Sequence, residues 1–489
     1  MTIANEYAST RSAAVATGSR RHAIAIIAAC ATPAFMVALD NLVVSNALVA
    51  ISRSLHADEA QLQWVINAYT LAFAGLLLTG AALGDRYGRR RILVTGIMLF
   101  MAGSVLSGLS DTVHVLILGR AIAGAGAALA TPVSMTLLAE SVPPAKRSAS
   151  IGLWSGITGL GVALGPVIGG AITQGLAWQW IFWINVPVGA VAVWLIRSVL
   201  RDSRGPDRGL DMPGVLLGCS AVVLTVWAIV EGHRYGWGSG RILGAFAAVA
   251  VLLTMFVLWE RRAVDPVLPL RFYRIRGFVL SNMVSMTMYF GLFGSNFLLV
   301  QYMQIALRYN PFDAGLRTLP WSLGPMVAAP LAGLMTDRVG GGRLMTLGLT
   351  LDAVALSWMA LIGGPTLDYT DAIPPMLLGG IGMGLVWAPV SAQVLSSVRP
   401  EEFGKASGAN NTLREVGGAL GIAICTSVVA HFSTPIRSFA DIGPSFTDGM
   451  RPAMWLSAGV LLAGAAAGAA IPRHRTNAES SGPRGSHEH

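Results

Sequence analysis

Five ionisable side chains, Asp40, Arg120, Asp352, Arg414 and Glu415, fall inside long apolar runs. A charge at the centre of a bilayer costs about 2.5–3.5 kcal/mol even on lenient insertion scales, so such groups face a bundle interior or a watery cavity. The chemistry open to them there is ion pairing, cation binding and the uptake and release of protons. Asp40 lies 11 residues from the outer end of its run and Arg120 lies 7 from its own. At 1.5 Å per residue their depths differ by about 6 Å, within reach of an arginine side chain. Arg414 and Glu415 are adjacent and so point about 100° apart on a helix, which leaves them free of any need to pair with each other. Glu415 and Asp352 each have two readings: a second proton or cation site, or a silent group held against a neighbouring helix.

The composition sets the solvent for these groups. Only 12% of the 489 residues are charged and 54% are hydrophobic, with a mean hydropathy of +0.61. That is about half the charged fraction of a soluble globular protein. Soluble enzymes, disulfide scaffolds and disordered chains are excluded. Cys30, Cys219 and Cys425 lie far apart within apolar stretches and read as small hydrophobes. The histidines lack the spacing of a metal site, and no nucleophile is paired with a base, so neither a metal nor an enzymatic activity is expected. No phosphate-binding loop of the Gly-x-x-x-x-Gly-Lys-Ser/Thr type occurs, which argues against an ATP-driven pump.

Runs long enough to cross a bilayer number fourteen, near 24–51, 61–83, 92–110, 113–140, 148–173, 180–198, 213–231, 242–260, 278–303, 313–337, 345–363, 373–397, 405–431 and 452–471. An even number puts both termini on one side. Of the 34 Lys and Arg residues, 25 fall on that side and 7 on the other, so the positive-inside rule makes it the cytoplasm. The net charge of +9 thereby anchors topology, and no nucleic-acid partner is expected. The fold class is an all-α polytopic membrane protein, and a monomer is expected. Residues 473–489 read as a disordered cytoplasmic tail, and Glu231 as an interfacial residue.

Residues 84–91 hold Gly84, Asp85, Arg86, Gly88 and Arg89 after the second run, and Asp337 and Arg338 close the tenth. They share Asp-Arg-x-Gly at an offset of 252. Gly124 and Gly126 before Pro132 are echoed by Gly382 and Gly384 before Pro389. The repeat divides the chain into an arm (1–23), a six-helix bundle (24–205), two inserted helices (206–264), a second six-helix bundle (265–472) and the tail. In the fifth run Gly161, Gly165 and Gly169 recur every four residues around Pro166, with Gly170 following. They share one face, which admits a close-packed neighbour, and the proline bends the helix. Arg89, Arg90 and Arg91 fit a purely topogenic role.

Together these motifs resemble the major facilitator superfamily, in its fourteen-span drug:proton antiporter branch. The likeness runs from about residue 24 to 471. It rests on residues 84–91, on Leu118-Gly119-Arg120 with Gly124 and Gly126, on Gly161 to Gly170, and on Leu39-Asp40-Asn41 with Val43, Val44 and Asn46. The resemblance implies alternating access between two bundles and export of amphipathic, cationic drugs or antibiotics against protons, with no cofactor beyond the coupling proton. It implies that Asp40 carries the proton or meets the substrate, that Arg120 tunes it, that residues 84–91 latch the bundles, and that the Gly161–Gly170 face seals and hinges them. Around Arg414 the branch commonly has Gln at the next position, and Glu415 is a departure from that pattern. A narrow exporter of one metabolite or antibiotic fits the same motifs, and a non-transporting sensor of this fold is a more distant alternative.

Overall fold

The structure is a computed structural model that describes residues 2–204, 211–435, 438 and 441–472. Sixteen α-helices follow one another, with no strand among the described residues. The first half holds α1 (Thr2–Leu55), α2 (Glu59–Tyr87), α3 (Arg89–Gly108), α4 (Val113–Ser141), α5 (Arg147–Gly175), α6 (Trp180–Trp183) and α7 (Asn185–Val199). The inserted pair is α8 (Met212–Tyr235) and α9 (Gly240–Glu260). The second half holds α10 (Arg276–Ile305), α11 (Pro311–Arg317), α12 (Leu319–Val339), α13 (Gly341–Ile362), α14 (Tyr369–Ser396), α15 (Phe403–Phe432) and α16 (Ile442–Ala469).

The helix ends follow local chemistry. Asp58 caps α2, accepting from Gln61 N at 2.8 Å while the Gln61 side chain accepts from Asp58 N at 3.0 Å, a reciprocal capping box. Gly88 and Gly340 take φ of 107° and 93° in the tight turns between α2 and α3 and between α12 and α13, a region that side chains with a Cβ avoid. Thirteen helices among the described residues are long and apolar enough to cross a membrane, one fewer than the fourteen expected. The exception is α12, whose apolar residues are diluted by Pro320, Pro325, Pro330 and small residues. The tenth run also breaks at Thr318, ahead of Pro320, into α11 and α12. The helix of the first run continues back to Thr2, and the tail from residue 473 lies outside the described residues.

The repeat is visible in the packing. In the first half α1 packs on α5, and α4 packs on α2 and α3; in the second half α10 packs on α15, and α14 packs on α12 and α13. Across the halves, α5 packs on α12 and α15 on α2. The inserted helix α8 lies against α9, α2 and α15. Glycines let backbones approach within each bundle, as expected where apolar lipid supplies no drive for association. A Cβ on Gly126 would sit 2.6 Å from Gly96 O and 2.8 Å from Phe100 Cα, whereas a Cβ on Gly244 would meet nothing within 4 Å. Gly126→Val should therefore lower stability by about 1–3 kcal/mol through overpacking, and Gly244→Val should leave it unchanged. Thermal unfolding of the two purified variants in detergent checks this contrast.

Candidate functional site

Asp40 and Arg120 meet in the interior of the first bundle. Arg120 Nη1 donates to Asp40 Oδ2 at 2.6 Å, and both residues are no more than 2% exposed. Asn185, the first residue of α7, donates through Nδ2 to Asp40 Oδ1 at 2.9 Å and to Ser104 Oγ at 3.2 Å. Arg120 Nε donates to Val65 O at 3.3 Å, and its guanidinium carbon lies 4.2 Å from the Tyr69 ring centroid. One carboxylate thus ties α1 to α4 and α7, and each of its oxygens has a donor. This satisfaction is what makes a buried ion pair tolerable.

Asp40 does not line the central cavity; its neighbours in α1 do. A cavity of about 80 Å³ lies between the bundles, walled on one side by Val37, Asn41, Phe73 and Trp154, and on the other by Tyr289, Phe293, Trp387, Asn411, Arg414 and Glu415. Helical geometry explains the split, because Asn41 is turned about 100° from Asp40. Arg414 is 1% exposed, donates through Nη2 to Ser391 Oγ at 2.8 Å and lies 5.3 Å from the Tyr289 ring centroid. Among the described residues, Arg414 Nε and Trp387 Nε1 have no partner. Glu415 is half-buried on the cavity wall. The arrangement offers aromatic faces, amides and one charge of each sign. At this volume it is smaller than the roughly 300 Å³ or more of a drug-sized site, so holding such a ligand requires the bundles to part.

At one end of the bundles the turn after α2 forms a charged junction. Arg89 Nε and Nη2 donate to Asp85 Oδ1 at 2.9 and 2.7 Å, and Arg89 Nη1 also pairs with Glu140. Arg89 is 1% exposed. That corrects the purely topogenic reading for Arg89, since a guanidinium with two carboxylate partners inside protein is a structural centre. Arg91 is exposed and pairs with Asp202 at 3.2 Å, and Arg86 is exposed beside Tyr87. The Asp85 carboxylate lies against Gly404, where a Cβ would be 2.6 Å from either oxygen, in the first turn of α15. Gly84 abuts Val133 and Gly88 abuts Asp202. In the second half, Asp337 Oδ1 accepts from Ser148 Oγ at 3.1 Å, in the first turn of α5, while Arg338 is exposed. Each half's aspartate thus reaches the start of a helix in the other half, where exposed N–H groups and the helix dipole favour negative charge.

The residues match a known family over most of the chain. The sequence profile of the Major Facilitator Superfamily covers residues 31–422. This chain belongs to that superfamily. It is 34% identical over 421 residues to the tetracenomycin C resistance and export protein of Streptomyces glaucescens, covering 85% of this chain and 77% of the relative. It is 36% identical over 402 residues to the puromycin resistance protein pur8 of Streptomyces alboniger, covering 80% and 79%. The multidrug resistance protein Stp of Mycobacterium tuberculosis is 33% identical over 398 residues, covering 81% and 74%. Among solved structures, the proton:xylose symporter XylE superposes with a TM-score of 0.65 at 16% identity, over 93% of this chain and 97% of its own. Its likeness establishes the fold: an all-α major facilitator architecture.

Within that superfamily fold, Gly161 and Gly165 of α5 do not face the other bundle as expected, whereas Gly170 does. A Cβ on Gly161 would meet Phe35 O at 2.6 Å and one on Gly165 would meet Leu42 Cβ at 2.7 Å, so both glycines face α1 of their own bundle. The crossing is made by Gly152, 2.9 Å by the same measure from Gly333 Cα, by Gly156 against Pro330, and by Gly170 against Phe312. Gly169 is buried in the same helix, and the side chain of Pro166 lies outside the described residues. The four-residue periodicity marks a close-packed face but carries no information on which helix covers it. Asp352 is 1% exposed in α13, which packs on α14 and α16, with neither oxygen partnered among the described residues, and it is not brought to the cavity. Glu231 lies at the end of the apolar stretch of α8, which closes at Gly232; it is 3% exposed and lies 3.8 Å from Arg234.

Asn185, Tyr69, Glu140 and Ser391 escape the sequence reading. Neutral side chains in apolar runs carry no signature there, and Glu140 is one acidic residue at a helix end; only the count of donors a buried carboxylate needs points to something like Asn185. Breaking a buried pair by removing one partner typically costs about 3–5 kcal/mol. Asp40→Asn and Arg120→Gln should each lower thermal stability in detergent on that scale, and the double variant should lose less than the sum. Additive losses in a double-mutant cycle would show that the two side chains act independently.

Proposed function

We propose that this protein is a proton-driven exporter of amphipathic small molecules that works by alternating access between its two bundles. The observation that carries the reading is the division of charge across α1. Asp40 is sealed with Arg120 and Asn185 on one face, while the opposite face forms the cavity wall opposite Glu415 and Arg414. Asp40 holds the proton and Glu415 meets the substrate, so of the two roles the resemblance allows Asp40 the first is assigned to it. Protonation of Asp40 removes its attraction to Arg120 and frees α1, and movement of α1 reshapes the cavity through Val37 and Asn41. The relatives' names, resistance and export proteins among them, support a drug or antibiotic as cargo.

The junction ends of α2 and α12 lie on the basic side of the chain, which the positive-inside rule assigns to the cytoplasm together with both termini. Asp85 and Asp337, each against the first turn of a helix in the other half, keep that side closed, and their release opens it for loading. Each inward proton gains about 2.3 kcal/mol per 100 mV of membrane potential. No cofactor takes part, and the working unit is the monomer. A second reading, export of a single compound, is favoured by relatives named for one antibiotic each, tetracenomycin C and puromycin. Transport of a panel of unrelated compounds separates the two.

Transport of ethidium in proteoliposomes with an imposed pH gradient tests the division of roles. Asp40→Asn should abolish gradient-driven uptake while leaving ethidium binding intact. Glu415→Gln should keep gradient-driven transport but weaken binding of the cation about tenfold, equivalent to about 1.4 kcal/mol. Loss of coupling in Glu415→Gln with normal coupling in Asp40→Asn would reverse the assignment.

A further inference from the structure

A buried hydrogen bond that crosses between the two halves adjoins the cavity. Ser407 of α15, fully buried, donates through Oγ to the carbonyl of Pro132 in α4 at 3.2 Å. That carbonyl also accepts from Thr136 Oγ1 at 2.9 Å. Thr131, next to Pro132, lines the central cavity, and so does Asn411, one helical turn beyond Ser407. Asn411 Nδ2 donates to Ser407 O at 2.8 Å and to Ser407 Oγ at 3.3 Å. Ser407 in turn lies one turn after Gly404, the residue that receives the Asp85 carboxylate. The hydrogen bond therefore belongs to the end of the bundles that the positive-inside rule makes cytoplasmic.

Counting protons fixes the direction of each bond. A serine hydroxyl has one proton to give, and a primary amide carries two N–H donors on its nitrogen and an acceptor on its oxygen. Asn411 turns its N–H donors back to Ser407, so the atom it offers the cavity is Oδ1, an acceptor. With an N–H already aimed at Ser407 Oγ, the serine proton is left for Pro132. Turned over, the amide would present Oδ1 to Ser407 and take that proton, and α15 would lose its hydrogen bond to α4. One amide orientation thus decides both what the cavity offers a ligand and whether the halves are tied at this point. Glu415 adds a second acceptor to the same wall, and two acceptors suit a cation that bears N–H.

We propose that Asn411 reads an N–H donor on the cargo and that Ser407 converts this contact into closure of the cytoplasmic side. A cargo N–H on Oδ1 holds the amide in the orientation described, directs the Ser407 proton to Pro132 and fastens α15 to α4 behind the cargo. A cation without N–H leaves the amide free to turn and gains no such closure. The proposal rests on the alternating-access reading above. It makes Asn411 a specificity-determining residue and Ser407 a positioning residue that acts through it.

The test is a distance measurement on full-length protein in nanodiscs. Spin labels are attached at exposed Ala145 and Arg399, one in each half, after the three cysteines are replaced by serine. Ethidium, whose amino groups carry N–H, should raise the fraction at the shorter, closed distance about threefold over the ligand-free parent. Tetraphenylphosphonium, a cation with no N–H, should leave that fraction unchanged at equal occupancy. Ser407→Ala should bind ethidium within about twofold of the parent yet show no rise. Asn411→Leu, similar in shape, leaves the serine proton to Pro132 and should be closed to the same extent with and without ethidium. It should also bind ethidium about fivefold more weakly, the worth of one hydrogen bond, and tetraphenylphosphonium as tightly as the parent. Closure of the parent by both cations, or a Ser407→Ala response equal to the parent's, would overturn the proposal and leave alternating access standing. A parent that binds ethidium with no change in distance would overturn both.

Discussion

A charge closed inside an apolar bundle has to be met by an opposite charge or by hydrogen bonds, and the first half of this protein is arranged around that requirement. Asp40 is answered by Arg120 at 2.6 Å and Asn185 at 2.9 Å. The contacts fix α1 against α4 and α7, and therefore fix which face of α1 is left for the cavity. Three helices, and one wall of the cavity, meet at one carboxylate.

The same constraint recurs with a different solution at the junction. Asp85 and Arg89 are one helical turn apart, and Arg89 is shared with Glu140. This holds Asp85 against the start of α15. The second half repeats the placement with less burial: Asp337 is exposed and reaches Ser148 of α5 through one hydrogen bond at 3.1 Å. The two contacts are related by the internal repeat but differ in kind: Asp337 accepts a hydrogen bond from Ser148, whereas the Asp85 carboxylate is packed against Gly404 with its Oδ2 unpartnered among the described residues. The first is the one the inserted helix α8 adjoins, since α8 packs on both α2 and α15.

Much of this was legible in the chain. The cost of charge in lipid singled out Asp40, Arg120, Arg414, Glu415 and Asp352, and depth arithmetic was enough to join the first two. The 252-residue offset anticipated the paired packing of the halves. What the sequence withheld is rotational: whether Asp40 looks into the bundle or the cavity, and whether Gly161 and Gly165 face their own bundle or the other one. Those outcomes depend on how helices are turned about their axes, and a run apolar on nearly every side does not record it. Asn185 was invisible for a related reason, since a neutral amide in a span gains its meaning only from the carboxylate beside it. The tenth run falls short in hydropathy because prolines and small residues dilute α12, yet α12 packs on α14 as α2 packs on α4.

In the proposed cycle Asp40 exchanges its proton as the cavity changes occupancy, although it does not line that cavity. Proton release on ethidium binding, followed with a pH-indicator dye in weakly buffered detergent solution, tests it most directly. The proposed cycle predicts proton release on ethidium binding by the parent protein, reaching at most one per ethidium at pH values where Asp40 starts protonated, and none by Asp40→Asn at any pH. Equal release from the two would contradict it and move the exchanging proton to another group.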